Sequence, residues 1–128
     1  MKQTHIPQGY NTVMPYLIVK DGLGLIQFLK DVFGAVEKEV HYTEDGKTLM
    51  HGEVIINNDS CVMISEASDK FPVQTAGLYI NVADADETYA TALGKGATSI
   101  MPPANQPYGR SGGITDPHGN TWWVTSAL

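Results

Sequence analysis

The stretch VKDGLGLIQFLKDVFGA, residues 19–35, returns in altered form as VADADETYATALGKGA, residues 82–97. In each copy an apolar segment leads into a Val-x-Asp step, a helix-like run follows, and a Gly-Ala pair closes it. Four positions recur in the same order, with Val19, Asp21, Gly34 and Ala35 answered by Val82, Asp84, Gly96 and Ala97. The repeat predicts a tandem duplication in which each half begins with a strand and a helix.

Both copies carry the signals of amphipathic helices. One stripe of the first helix is formed by Leu25, Leu29 and Val32, flanked by Ile26 and Phe33, and one stripe of the second by Ala85, Tyr89, Ala92 and Leu93. Asp84 with Glu87 three residues later is a capping-box pattern, which predicts where the second helix starts. Glycines at 34 and at 94–96 predict left-handed caps at both helix ends.

Each helix is preceded by one predicted strand and followed by three more. The predicted strands are 13–19, 36–43, 48–56 and 61–66 in the first half, and 77–82, 99–104, 112–116 and 121–126 in the second. The sequence therefore predicts an α+β fold of paired βαβββ units forming a curved mixed sheet, with helices on the convex face and a concave ligand cavity. We expect a single domain over residues 1–128, made of repeats at about 10–70 and 73–128.

Composition narrows the class of protein. Hydrophobic residues make up 42% of the chain and charged residues 17%, a globular balance. The net charge of −6, with only 8 basic residues, argues against a nucleic-acid partner. A single cysteine excludes an intrachain disulfide. No apolar run approaches the roughly 20 residues that cross a bilayer, and the N-terminus lacks a signal-peptide core, so we expect a cytoplasmic protein without a membrane partner.

Several motifs together resemble one protein family. These are the doubled unit, the Val-x-Asp helix entries, the GR…DPHGN tail at 109–120, and the segments PYLIVKDGLGLIQFLKDVFGA (15–35) and LMHGEVIINNDSCVMIS (49–65). They resemble the vicinal oxygen chelate superfamily, which includes glyoxalase I, extradiol dioxygenases, and the fosfomycin and bleomycin resistance proteins. The resemblance implies the paired βαβββ fold and a homodimer. It also implies, in metal-using members, two ligands per half, usually His, Gln or Glu, from the first and last strands.

Carrying those four ligand positions onto this chain places them on Met14, Met63, Gly77 and Trp123. Thioether is a poor ligand for hard divalent ions, and glycine and indole side chains are not ligands. A shift of one residue in register brings no His, Gln or carboxylate to any of the four positions. The resemblance thus predicts that the usual metal centre is absent and that no cofactor is bound.

Strand alternation predicts what the concave face carries instead. Met14, Tyr16 and Ile18 share one face, as do Tyr79 and Asn81, and the family positions add Met63 and Trp123. In the loop YGR, Tyr108 and Arg110, the chain's one arginine, are predicted at the rim of the pocket, where a guanidinium binds anions. Two plainer alternatives stay open. The strand aromatics can simply fill a core, and Arg110 can pair with an acid such as Asp116.

His51 and Glu53 are two residues apart on a predicted strand, so their side chains share a face. They are candidates for an acid–base pair or for part of a metal site. A two-residue connection after this strand aligns Val54 with Met63, whereas a three-residue connection aligns Glu53 with it. The sequence leaves both registers open.

Three functions follow from these observations. The leading hypothesis is a metal-free protein that binds a small aromatic or anionic molecule in the concave cavity, for sequestration or transport. The alternative is a metal-dependent lyase, isomerase or dioxygenase with unorthodox ligands such as His51 and Glu53. The third is a dimerising protein whose cavity is filled and inactive.

Overall fold

The computed structural model describes residues 2–128 and contains two βαβββ units. The first comprises β1 Tyr16–Val19, α1 Gly22–Phe33, β2 Val36–Tyr42, β3 Leu49–Ile56 and β4 Ser60–Glu66. The second comprises β5 Gly77–Asn81, α2 Ala85–Gly94, β6 Thr98–Gln106, β7 Gly109–Thr115 and β8 Thr121–Ser126. The predicted fold class, paired βαβββ units with mixed sheets, is confirmed.

Each unit forms its own four-stranded sheet with the same topology. The strand orders are β1-β4-β3-β2 and β5-β8-β7-β6, so the first strand of each unit lies at an edge beside the last. The β1–β4 and β5–β8 pairs are parallel, and the remaining pairs are antiparallel. On its outer side, β1 bonds to the segment before β5, because Ile18 exchanges two backbone hydrogen bonds with Gln74, at 3.0 and 2.9 Å. That segment therefore runs along the outer edge of β1.

Three strand boundaries differ from the prediction by more than one residue. β1 begins at Tyr16 rather than at residue 13; Pro15 accepts a hydrogen bond from Met63 N but has no N–H of its own to continue the ladder. β6 and β7 extend to a tight hairpin in which Gln106 pairs with Gly109, whereas the sequence predicted strands ending at 104 and starting at 112.

The two helices have matching N-terminal caps, formed by the aspartates of the two Val-x-Asp steps. Asp21 accepts a hydrogen bond from Gly24 N at 2.9 Å, and Asp84 accepts one from Glu87 N at 3.1 Å. α1 ends in the predicted left-handed Gly34, with φ 68°. α2 differs, because its cap residue Lys95 has φ −105° and the left-handed position falls one residue later.

The helices cover one face of each sheet and share one core. α1 packs on β1, β3 and β4, while α2 packs on β6, β7 and β8, and the helices contact each other. The rings of Phe33 and Trp122 lie 4.8 Å apart and join the two halves. The α1 stripe is buried as predicted, but Leu93 of the α2 stripe is exposed because α2 buries only Ala85 and Ala92.

The DPHGN turn is held by one buried carboxylate. Asp116 accepts hydrogen bonds from His118 N, Asn120 N and Asn120 Nδ2 at 2.8–3.0 Å, and from Trp122 Nε1 at 2.9 Å. These bonds fix the turn into β8 and hold Trp122 on the helix side of the sheet. Trp123, the next residue, therefore points to the opposite side.

Candidate functional site

The faces of the two sheets opposite the helices are the open faces of the molecule. In the first sheet, Tyr16 pairs with Met63, and Met63 pairs with Glu53. In the second, Tyr79 pairs with Trp123. Residues paired across neighbouring strands project to the same side. The open faces thus carry a Tyr–Met–Glu row in one half and a Tyr–Trp pair in the other.

The register between β3 and β4 settles the question that the sequence left open. The connection contains three residues, because Ile56 pairs with Ser60. Asn57 and Asn58 within it adopt left-handed conformations, with φ 53° and 59°, which asparagine tolerates better than most residues. As a result Glu53, rather than Val54, lies beside Met63.

The aromatic side chains of the open faces are strongly exposed. Tyr16 is 47% exposed and Tyr79 is 55% exposed, Asn81 is exposed, and Met63 and Trp123 are half-buried. Trp123 approaches the backbone of β7 closely. A Cβ built on Gly113 would lie 2.5 Å from Trp123 Cζ3, so the absence of a side chain at residue 113 makes room for the indole.

Tyr16 and Tyr79, the two tyrosines of the open faces, line different clefts of the chain. Five clefts within residues 2–128 are each lined by at most one of the residues Tyr16, Met63, Tyr79 and Trp123. Tyr16 lines a cleft with Phe71 and Gln74, and Tyr79 lines a groove between the two halves. Met14 lies just before β1 and is half-buried, outside any strand.

The groove between the halves has a volume of about 320 Å³. Its walls come from residues 11–15, the start of β4, and β5, including Tyr79 and Asn81. Asn11 builds one wall, since its Oδ1 accepts a hydrogen bond from Cys61 N at 2.8 Å and its Nδ2 donates to Asp59 O at 2.8 Å. Cys61 is buried, and burial raises the pKa of its thiol.

A hydrogen-bonded cluster centres on Glu53, which is only 4% exposed. Tyr10 donates its hydroxyl hydrogen to Glu53 Oε1 at 2.6 Å, and His51 Nε2 lies 2.8 Å from Glu53 Oε2. The ammonium of Lys38 sits 4.4 Å from the centre of the Tyr10 ring. Sequence reasoning found the His51–Glu53 pair but missed Tyr10, because no local pattern marks a contact that spans 43 residues.

The electrostatics of this cluster favour an ionised carboxylate. Burial by itself raises the pKa of Glu53. The hydrogen bonds from Tyr10 and His51, together with the charge of His51, lower this pKa by a larger amount. The net pKa of Glu53 therefore lies below the ordinary 4.5. The same hydrogen bond to Glu53 raises the pKa of Tyr10 to about 12. At neutral pH, Glu53 is therefore an anion and Tyr10 a neutral donor.

The donor set does not fit the metal centre that the family resemblance implies. The four ligand positions hold Met14, Met63, Gly77 and Trp123, none of which is a donor suited to a hard cation. His51 and Glu53 acquire no third ligand, since no three His, Cys, Asp or Glu side chains within residues 2–128 are grouped so as to hold an ion. Both Glu53 oxygens already accept hydrogen bonds.

Arg110 lies on the helix side of its sheet. Its Nε and Nη2 each donate to Asp86 of α2 at 3.0 Å, and its Nη1 donates to Asn105 at 3.2 Å. These hydrogen bonds hold the pKa of Asp86 below its usual range. The acid that pairs with Arg110 is therefore Asp86, and Asp116 serves the buried turn instead. Tyr108, 62% exposed, stands at the tip of the β6–β7 hairpin.

Comparison with known proteins identifies the family of the chain. Residues 9–124 match the family described as the glyoxalase/bleomycin resistance protein/dioxygenase superfamily. The chain belongs to this superfamily. It is 31% identical over 119 residues to an uncharacterised protein of Mycobacterium bovis, covering 84% of this chain and 78% of that one. An uncharacterised protein of Mycobacterium tuberculosis is 31% identical over 119 residues, covering 84% and 69%.

Solved structures share the fold. TioX from Micromonospora sp. ML1 superposes with a TM-score of 0.74 at 20% identity, covering 92% of this chain and 99% of that chain. TnmS3, an antibiotic binding protein from Streptomyces sp. CB03234, superposes with a TM-score of 0.70 at 21% identity, covering 100% and 99%. Within residues 2–128, neither helix is long and apolar enough to cross a membrane.

Proposed function

We propose that this superfamily member binds a small aromatic molecule on its open faces without the family's metal centre, and so sequesters or carries it. The proposed binding surface, called the aromatic surface below, comprises Tyr16, Met63, Tyr79, Asn81 and Trp123. The observation that carries the proposal is that Met63 and Trp123 stand on these faces at positions that the resemblance assigns to metal ligands, with the exposed phenol rings of Tyr16 and Tyr79 beside them.

Exposure supports a binding role over core filling. The helix-side faces already bury the apolar strand residues, such as Val54 and Ile64, so the open-face aromatics are not needed there. Exposed aromatic rings that share a sheet face with a second large apolar side chain mark interaction sites more often than single scattered hydrophobic residues do. Stacking on a ring contributes about 0.5–1.5 kcal/mol beyond the area it buries.

Two features favour a neutral aromatic ligand over an anion. Arg110 has its guanidinium committed to Asp86 and Asn105 on the helix side, so it is left out of the aromatic surface, as is Tyr108 at the hairpin tip. The net charge of −6 adds no attraction for anions. The antibiotic-binding role of the structural neighbour TnmS3 is consistent with a small organic ligand.

We also propose a homodimer. The support is that a single chain leaves Tyr16 and Tyr79 in separate, open clefts, so we expect a second copy to help enclose a ligand. Sedimentation equilibrium tests this: a mass of twice 13.9 kDa is expected, and a monomer at ligand-binding concentrations contradicts it.

The metal-dependent alternative gains little from the geometry, because His51 and Glu53 bond to each other and to Tyr10 rather than opening toward a shared ion. The metal content of the protein distinguishes this alternative from the metal-free proposal. Elemental analysis of protein purified without chelators is expected to find no stoichiometric zinc, nickel, manganese or iron.

The binding test is a thermal-shift screen of aromatic compounds against the native chain, followed by calorimetric titration of each hit. Tyr79→Leu is expected to weaken binding about two- to twelvefold through loss of stacking. Tyr108→Leu is the matched control, since it removes an equally exposed tyrosine outside the aromatic surface. Equal affinity of both variants and the native chain contradicts the proposed surface, and a screen without hits contradicts the proposed function.

A further inference from the structure

The Glu53 cluster leaves one hydrogen-bonding atom unused on the open face. His51 is joined to Glu53 through Nε2, at 2.8 Å. Its other ring nitrogen, Nδ1, has no hydrogen-bond partner among the described residues. No buried side-chain nitrogen or oxygen within residues 2–128 lacks a partner, so Nδ1 must reach solvent. The His51 side chain is 28% exposed, enough for a ligand to touch it.

The ionised carboxylate of Glu53 decides which ring nitrogen of a neutral His51 carries the hydrogen. An ionised carboxylate can only accept hydrogen bonds, so Nε2 must carry the hydrogen that is shared with Glu53. In a neutral imidazole the second nitrogen then has a free lone pair and acts as an acceptor. Tyr10 occupies the other Glu53 oxygen, so the carboxylate cannot turn away from His51 without losing a hydrogen bond of 2.6 Å. In the neutral form of His51, the cluster therefore presents Nδ1 as an acceptor that reaches solvent.

The position of His51 relative to the aromatic surface determines the ligand it can meet. The rings of Tyr16 and His51 have their centres 5.9 Å apart and are tilted by 55°. Glu53 is paired with Met63, which is paired with Tyr16, so the acceptor lies beside the flat, apolar part of the surface. A planar ligand resting on Tyr16 and Met63 would bring a substituent at its edge to His51.

We propose that His51 Nδ1 is the polar anchor of the aromatic surface and accepts a hydrogen bond from a hydroxyl group on an aromatic ligand, so that the protein selects phenols. This inference rests on the proposed function and adds the ligand class. The buried Glu53 anion behind the imidazole repels a ligand carboxylate, which separates phenols from aromatic acids. Glu53 and Tyr10 act as positioning residues, since they hold the imidazole but do not face the ligand.

The test compares matched ligands that differ only in the hydroxyl hydrogen. Naphthol and methoxynaphthalene are titrated calorimetrically into the native chain at mildly alkaline pH, which favours a neutral imidazole. The native protein is expected to prefer naphthol by about tenfold, the effect of one hydrogen bond whose loss leaves a polar group unpaired. Naphthoate is expected to bind more weakly than either.

Variants assign the preference to His51. In His51→Phe, which keeps a ring, the preference for naphthol over methoxynaphthalene is expected to vanish. His41→Phe is the matched control, because His41 pairs with His51 on the neighbouring strand but has its side-chain hydrogen bond with the exposed Glu39 instead of Glu53. Glu53→Gln provides a second variant: its amide can donate to Nε2, which turns Nδ1 into a donor and removes the preference without deleting the histidine.

The outcomes separate the two proposals. Equal binding of naphthol and methoxynaphthalene by the native chain, or an unchanged preference in both His51→Phe and Glu53→Gln, overturns the role of His51 while leaving the aromatic surface intact. Absence of binding by all three compounds contradicts the aromatic surface itself and the phenol inference with it.

Discussion

Replacing Asp116 by alanine tests whether the DPHGN turn controls the position of the last strand. The substitution removes the acceptor for three hydrogen bonds from buried groups, namely those from Asn120 N, Asn120 Nδ2 and Trp122 Nε1. Leaving a buried donor unpaired costs about 1–3 kcal/mol. A water molecule can enter the vacated space and satisfy part of this demand. We therefore take the lower end of the range for each bond and expect Asp116→Ala to lower the free energy of unfolding by about 3 kcal/mol.

Urea denaturation followed by tryptophan fluorescence measures this change, because Trp122 is buried and Trp123 lies next to it. Asp84→Ala is the matched control. Asp84 is exposed and accepts a single hydrogen bond, from Glu87 N at the start of α2, so it should cost only about 1 kcal/mol. If the Asp116 variant loses no more stability than the Asp84 variant, the turn does not have the structural role assigned to it.

Three further predictions concern the open faces. Gly113→Val should force Trp123 out of its position and lower the free energy of unfolding by about 1–3 kcal/mol, with weaker aromatic binding; an unchanged urea midpoint and affinity contradict the close approach. Because the pKa of Glu53 is lowered in the folded protein, its stabilising effect is present above its ordinary value of 4.5 and is lost as the pH falls below it. The stability difference between the native chain and Glu53→Gln should therefore shrink in acid, and a constant difference refutes this. Tyrosinate absorbance should show one tyrosine titrating near pH 12, and its disappearance in Tyr10→Phe identifies it.

The sequence predicted the fold well because the duplication makes its signals appear twice. The Asp21 and Asp84 caps and the glycine at the end of α1 act locally, through contacts within a few residues. Alternation along the strands likewise placed Tyr16 and Tyr79 on the faces away from the helices. Such short-range rules do not depend on how the halves meet.

Contacts between distant segments were beyond the reach of the sequence. The Tyr10–Glu53 hydrogen bond spans 43 residues, and the Arg110–Asp86 pair spans 24. The face of Arg110 depends on the register of β7, which the sequence predicted to begin three residues later than it does. The length of the β3–β4 connection decided whether Glu53 or Val54 lies beside Met63, and the two candidate lengths differ by a single residue.

The central claim is that aromatic molecules bind to these faces without help from a metal ion. The most direct measurement is the calorimetric affinity for naphthol before and after exhaustive treatment of the protein with a chelator. We predict the same dissociation constant in both states. Binding that disappears on chelation and returns when a divalent ion is added back would contradict the claim.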